Sequence, residues 1–161
     1  MAKVLIKKLN PSINLPEYKT NGSSGMDLIA FIKEPVNIKP KTSSLIPTGL
    51  SVAFSENYEI QIRPRSGLAA KNNISVLNTP GTIDSDYRGE IKVILFNHGN
   101  KSFKINNNDR IAQMILTPVI KMDLEETNEL PDSIRGTGGF GSTGKWKKVL
   151  TNLKLKDSQD N

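Results

Sequence analysis

Ile74-Ser-Val76-Leu77-Asn78-Thr-Pro80-Gly81-Thr-Ile83-Asp84-Ser-Asp86-Tyr87-Arg-Gly89-Glu90-Ile91-Lys-Val93-Ile-Leu95-Phe96 decides the fold of this chain. Its two ends are short apolar runs rich in β-branched residues and bounded by turn formers, the pattern of strands rather than helices. Between them Thr79-Pro80-Gly81 is turn chemistry: proline presets φ, and glycine accepts the left-handed backbone that follows. The expectation is a hairpin that holds a short polar segment at one rim of a β core. That segment carries Asp84, then Asp86 and the phenol of Tyr87. It has two readings. A carboxylate held at a strand end on a stiff hairpin keeps its aim, as a general base must. The same residues also make an ordinary solvated turn.

Outward from this stretch, β-like runs recur between turn signals: Val4 to Ile6, Met26 to Phe31, Val36 to Ile38, Ser44 to Ile46, Leu50 to Phe54 and Tyr58 to Ile62. After it come Phe103 to Ile105, Ile111 to Ile115, and Val119-Ile120. Many short strands with glycine and proline punctuation, and little helical periodicity, predict an all-β fold: an antiparallel jelly-roll-like barrel or sandwich. In Asp109-Arg110-Ile-Ala112-Gln113-Met114-Ile115 alternation puts Ala112 and Met114 on one face and Gln113 on the other, as a polar contact or as the exposed side of a sheet. Asn21-Gly-Ser-Ser24-Gly-Met26-Asp27-Leu28 places the acid Asp27 just inside a strand.

The chain has 161 residues, enough for one domain with its own core. It has no cysteine, which excludes disulfides and thiolate metal sites, and one histidine, His98, which excludes a paired-histidine zinc site. Without a nucleophile-elbow motif, His98 between Asn97 and Gly99 reads as a turn residue. No apolar run has the length of a membrane span, and the first residues lack a secretory cleavage pattern, so a soluble cytoplasmic protein is expected. A net charge of +6 admits polyanionic partners, but acids are scattered among the bases and no duplex-binding stripe forms.

Two loops suit phosphate. In Arg63-Pro64-Arg65-Ser66-Gly67-Leu68-Ala69-Ala70-Lys71, Pro64 pushes Arg63 to extended geometry, and Ser66 is placed to cap a short helix. A helix N-terminus with free N–H groups receives phosphate, and Arg65 adds a guanidinium fork. A capped surface helix beside a solvated arginine is the alternative. Arg135-Gly-Thr-Gly138-Gly-Phe140-Gly141-Ser142-Thr143-Gly144-Lys145 is glycine-rich, able to wrap an anion with backbone N–H groups. It is neither a dinucleotide fingerprint, since no strand precedes it, nor a P-loop, since Trp146 stands where a magnesium-binding hydroxyl belongs. What remains is a flexible lid carrying one aromatic and one guanidinium. The basic tail 145–161 reads as a short amphipathic helix on the body, a nucleic-acid contact or a loosely held, disordered end.

Ser24-Gly-Met-Asp27-Leu, Pro64-Arg-Ser-Gly-Leu-Ala69, Gly81-Thr-Ile-Asp84-Ser-Asp86-Tyr87-Arg-Gly, Arg110-Ile-Ala-Gln113-Met and Arg135-Gly-Thr-Gly-Gly-Phe140-Gly-Ser-Thr-Gly follow one another in the order of the five motifs of the trimeric deoxyuridine triphosphate nucleotidohydrolases (dUTPases). The resemblance runs from about Gly22 to Gly144; the tail beyond it is longer than many members carry. It implies a homotrimer with exchanged C-terminal arms, residues 1–134 forming the barrel domain, 135–144 its lid and 145–161 an appended tail. Each active site would draw the Asp27, Arg65 and Gln113 stretches from one chain, the Asp84 hairpin from a second and the glycine-rich arm from a third.

The implied reaction is magnesium-dependent hydrolysis of dUTP to dUMP and pyrophosphate, which limits uracil in DNA and supplies dUMP for thymidylate synthesis. By the same resemblance, Asp84 activates the attacking water and Tyr87 fills the space a 2′-hydroxyl needs. Asn78 and the backbone around Gly81 and Ile83 read uracil. Ser66, Gly67 and Gln113, supported by Arg65, hold the phosphates. Arg135 clamps the γ-phosphate, Phe140 covers the base, Gly141 also binds substrate, and Ser142 and Thr143 cap the phosphates. No side chain is expected to bind Mg2+ directly; Asp27 acts through metal-bound water or braces the site. A dCTP deaminase shares the fold, but the Asp84-to-Tyr87 turn has the hydrolase form and no glutamate matches. Aromatics interleaved with bases, which a single-strand-binding module needs, are scarce, so no stable nucleic-acid or membrane binding is expected.

Overall fold

The structure, a computed structural model, describes residues 2–139. It divides into two units, Met1–Lys121 and Met122–Asn161.

The first unit is antiparallel β throughout with one short helix. In chain order its elements are β1 (Val4–Lys8), β2 (Met26–Ile29), β3 (Val36–Ile38), β4 (Ser43–Pro47), β5 (Leu50–Phe54), β6 (Tyr58–Arg63), α1 (Ser66–Asn72), β7 (Ile74–Val76), β8 (Gly81–Ile83), β9 (Lys92–Asn97), β10 (Phe103–Ile105) and β11 (Arg110–Pro118). The expected all-β class is the observed one. Four sheets form: β2-β11-β6-β8, β4-β9-β7, β1-β5 and β10-β3. Their inward faces meet in one core of aliphatic side chains, with Leu28, Ile38, Ile46, Ile91 and Ile105 sealed from solvent. β-Branched residues dominate because they pack stiffly on a pleated surface.

The deciding stretch folds as anticipated at its ends and differently in its middle. β7 and β9 pair antiparallel, Ile74 opposite Asn97 and Val76 opposite Leu95. The segment between them is not a free tip. Gly81-Thr-Ile83 leaves this pair and joins the other sheet, pairing with β6 so that Ile62 faces Gly81 and Ile60 faces Ile83. Three residues give no alternation to read, so β8 was not expected as a strand.

Other boundaries shift. β2 ends at Ile29 rather than Phe31, β11 runs on to Pro118, and Val119-Ile120 is not a strand. Ser66 is the first helical residue and not the cap: Arg65 holds the cap position at φ −87°, ψ 126°, with no side-chain cap bond. The helix ends at Asn73, whose left-handed φ of 56° lets its N–H return to Ala69. β11 carries a register shift between Arg110 and Ala112 against β2, and two consecutive residues, Ile111 and Ala112, are buried there. That is a β-bulge, which breaks the two-residue alternation.

In the second unit the described residues 122–139 carry one turn, at 134–137, and neither strand nor helix. Met122, Leu124, Leu130 and Ile134 all stand more than four-fifths exposed. Among the described residues no helix is long and apolar enough to cross a membrane.

Candidate active site

Asp27 is the centre of a charged cluster. It lies on β2 opposite Gln113 of β11, which in turn faces Arg63 of β6, so three polar side chains share one row on the outer face of the sheet. Its carboxylate is largely buried, with 11% of the side chain exposed, and accepts from Arg65 Nε at 3.0 Å and from Arg110 Nη1 at 3.1 Å. Arg65 Nη1 also donates to the Arg110 carbonyl oxygen at 3.2 Å, closing a three-residue network. A carboxylate this dry persists because its charge is paired on two sides.

Beside this network α1 begins. Ser66 and Gly67 are exposed, a Cβ on Gly67 would meet open space, and no side chain caps the first turn. The first N–H groups of a helix have no partner within it, so they are free here to receive an anion. Thus Asp27, Arg65, Ser66, Gly67 and Gln113 belong to one neighbourhood at the C-terminal end of β6.

The second group lies along β8. That strand runs from beside Ile62, near the same end of β6, back past Ile60, so Gly81 lies close to the first group and Asp84 toward the start of β6. Gly81 is buried, and a Cβ there would press on the Asn78 carboxamide at 3.2 Å and on Ile62 Cβ at 3.4 Å. Glycine therefore lets the Asn78 carboxamide fold against the backbone at Gly81. Asp84 follows β8 directly and is exposed on an open groove with Glu56, Tyr58, Glu59 and Asp86. The turn after it is closed from within: Tyr87 N–H donates to Asp84 O at 3.1 Å, and Arg88 Nη1 donates to Ser85 O at 2.6 Å and Tyr87 O at 3.0 Å. Glu90 ties the far side down, accepting from Gly49 N at 2.8 Å.

Because β8 runs antiparallel to β6, Asp84 lies beyond Ile60 while Gln113 lies opposite Arg63. About four residues of strand, roughly 13 Å, therefore separate Asp84 from the Arg63–Gln113 row within one chain. A single copy brings Asp27, Arg65 and Gln113 together and keeps Asp84 away from them.

In the second unit Arg135 Nε donates to Gly138 O at 2.6 Å around Gly136, whose φ is +50°. Phe140, Gly141, Ser142, Thr143 and the tail from 145 lie outside the described residues. His98 belongs to neither group: Nε2 meets Ser75 Oγ at 2.7 Å and its ring tilts on Phe96, 4.6 Å between centroids. Among the described residues no group of three or more His, Cys, Asp or Glu is arranged to hold a metal.

Arg110 is the site residue that sequence reasoning passed over. Strict alternation would place it with Ala112 and Met114 on the inner face. The bulge returns it to the side of Gln113, and nothing in residue type signals a bulge there.

Solved dUTPases share this all-β fold. The dUTPase of Staphylococcus bacteriophage 80alpha, solved with dUPNHPP, superposes with a TM-score of 0.79 at 24% identity, covering 88% of this chain and 98% of that one. A mutant dUTPase of phage phi11 of S. aureus, whose structure concerns coordination of a structural Mg(II) ion, gives 0.72 at 20% identity over 81% of this chain and 99% of its own. In sequence, the deoxyuridine 5'-triphosphate nucleotidohydrolase of Nautilia profundicola is 55% identical over 143 residues, 89% of this chain and 99% of the relative. That of Treponema denticola is 57% identical over 137 residues, 85% and 95% of the two chains. With the dUTPase family profile matching residues 12–144, the chain belongs to the dUTPase family.

Proposed function

We propose that this protein hydrolyses dUTP to dUMP and pyrophosphate. Water held by Asp84 attacks the α-phosphorus; the new P–O bond forms as the bond to the bridging oxygen breaks, and pyrophosphate leaves. Asp84 takes the water's proton, a service that typically gives ~10²–10⁴-fold. One observation supports this arrangement above others: acid and phosphate-binding groups sit at opposite ends of β6, so a complete site takes Asp84 and Tyr87 from a second copy.

The homotrimer has further support in the exposed apolar side chains Ile120, Met122 and Leu124, which alternate as a strand does. An arm of this pattern, exchanged onto a neighbour, would bury what one copy leaves in water. On this reading residues 1–134 form the body and exchanged arm, 135–144 the lid and 145–161 an appended tail.

Arg65, the first N–H groups of α1 at Ser66 and Gly67, and Gln113 receive the phosphate chain. Asn78 and the backbone at Gly81 and Ile83 read the uracil edge. Cytosine reverses that edge and leaves polar groups unpaired, at ~1–3 kcal/mol each. Tyr87 occupies the 2′ side of the sugar. Arg135, Phe140, Gly141, Ser142 and Thr143 close over the nucleotide from a third copy and exclude bulk water.

The residues fit Mg2+ carried by the nucleotide: magnesium keeps waters and phosphate oxygens, and Asp27, with lone pairs left beside its two arginines, can accept from a metal-bound water. Bound there, it neutralises phosphate charge. The product dUMP feeds thymidylate synthesis, and removal of dUTP in the cytoplasm keeps uracil out of DNA. Pyrophosphate release from each deoxynucleoside triphosphate, with and without magnesium, tests the reading. Ammonia from dCTP would overturn it in favour of a deaminase.

A further inference from the structure

Asp27 presents a problem for a site that must take a polyanion. A carboxylate hydrogen-bonded to Arg65 cancels the charge that Arg65 would offer to phosphate, and repels the phosphate itself. The second arginine answers this. Arg110 Nη1 donates to the other carboxylate oxygen, leaving the Asp27–Arg65–Arg110 cluster with one net positive charge. It does so only because β11 is bulged between Arg110 and Ala112: without the bulge Arg110 would share the inner face with the buried Ala112 and Met114. The same residue's carbonyl oxygen receives Arg65 Nη1, so Arg110 fixes Arg65 through both its side chain and its backbone. More than half of the Arg110 side chain is exposed, so the core does not require it.

We propose that Arg110 is a positioning residue for dUTP binding: it offsets the charge of Asp27 and so keeps Arg65 extended and electropositive toward the phosphate chain. The assignment rests on the reading of this neighbourhood as the phosphate site. It gives Arg110 no contact with the reacting atoms, so its loss acts on binding and leaves the chemical step alone.

The test compares wild type, Arg110→Gln, Arg110→Lys, Asp27→Asn and the double variant Asp27→Asn/Arg110→Gln, all as full-length chains. KM and kcat for magnesium-dUTP are measured at low and high salt, with thermal melts beside them. Arg110→Gln is expected to raise KM about tenfold with kcat within about twofold, the size of one uncompensated charge at a partly screened distance. The increase shrinks at high salt. Arg110→Lys keeps the charge and recovers part of the affinity.

The double variant discriminates most sharply. Removing the Asp27 charge makes the missing Arg110 charge unnecessary, so its KM falls back below that of Arg110→Gln. A residue that only supported the fold would lower the melting temperature of Arg110→Gln without a salt-dependent rise in KM. An active wild type whose Arg110→Gln variant keeps its KM, or a double variant worse than both single ones, overturns the Arg110 assignment alone. A wild type that leaves dUTP intact overturns the reading of the site instead.

Discussion

The phenol of Tyr87 donates to the main-chain oxygen of Glu90 at 3.1 Å, and its ring lies where a Cβ on Gly89 would have to stand. The ring is thus fixed by its own turn before any substrate arrives. Gly89→Ala should push it off that position without touching the substrate directly. Both Gly89→Ala and Tyr87→Ala should narrow the preference for dUTP over UTP by about tenfold, ~1.4 kcal/mol of discrimination. Tyr87→Phe, which keeps the ring and loses one hydrogen bond, should narrow it less. Ratios of kcat/KM for the two nucleotides give the answer, and unchanged ratios would remove Tyr87 from the sugar.

Asp84 is exposed at the end of β8, and its carboxylate makes no hydrogen bond or ion pair among the described residues. Asp84→Asn keeps the shape and loses the base. Turnover should fall by ~10²–10⁴-fold while a non-hydrolysable dUTP analogue still binds. Calorimetry paired with pyrophosphate release separates the two effects.

Asn97 is sealed from solvent and serves three backbone groups: Nδ2 donates to Ile38 O at 2.9 Å and Lys101 O at 2.8 Å, and Oδ1 accepts from Gly99 N at 2.9 Å. Asn97→Ala leaves all three unpaired beside a cavity, with a cost of about 2–4 kcal/mol. The urea midpoint should fall accordingly, with kcat of the folded fraction unchanged.

The glycine-rich segment from Arg135 onward follows the β body in sequence. Deleting it should leave the trimer assembled by light scattering and lower kcat/KM by at least ~10²-fold, since positioning and water exclusion are lost together. Full activity in the truncated protein would end the lid assignment.

How much of this was written in the sequence differs from residue to residue. The strands with clear alternation or β-branched runs, such as Leu50–Phe54, stand where expected, because their faces must be buried. Gly81–Ile83 was missed because three residues fix no period and its partner β6 is distant in sequence. Ser66 was misplaced by one position, since any extended residue can hold the cap and Arg65, following Pro64, already is extended. Sequence places Asp27 just inside a strand and the resemblance gives it a bracing or metal-water role; its place as the junction of two arginines depends on pairings made across β2 and β11. Arg110 could not be read at all, because a bulge reverses the face that alternation assigns.

The account depends on each site borrowing Asp84 from a copy other than the one supplying Arg65. Co-refolding the inactive Asp84→Asn and Arg65→Ala proteins in equal amounts, then measuring pyrophosphate release from dUTP, tests that directly. Random assortment should return activity to about one quarter of the wild-type level, because that share of sites pairs an intact Asp84 with an intact Arg65. Mixed trimers no more active than either parent would place both residues in the same chain's site and contradict the account.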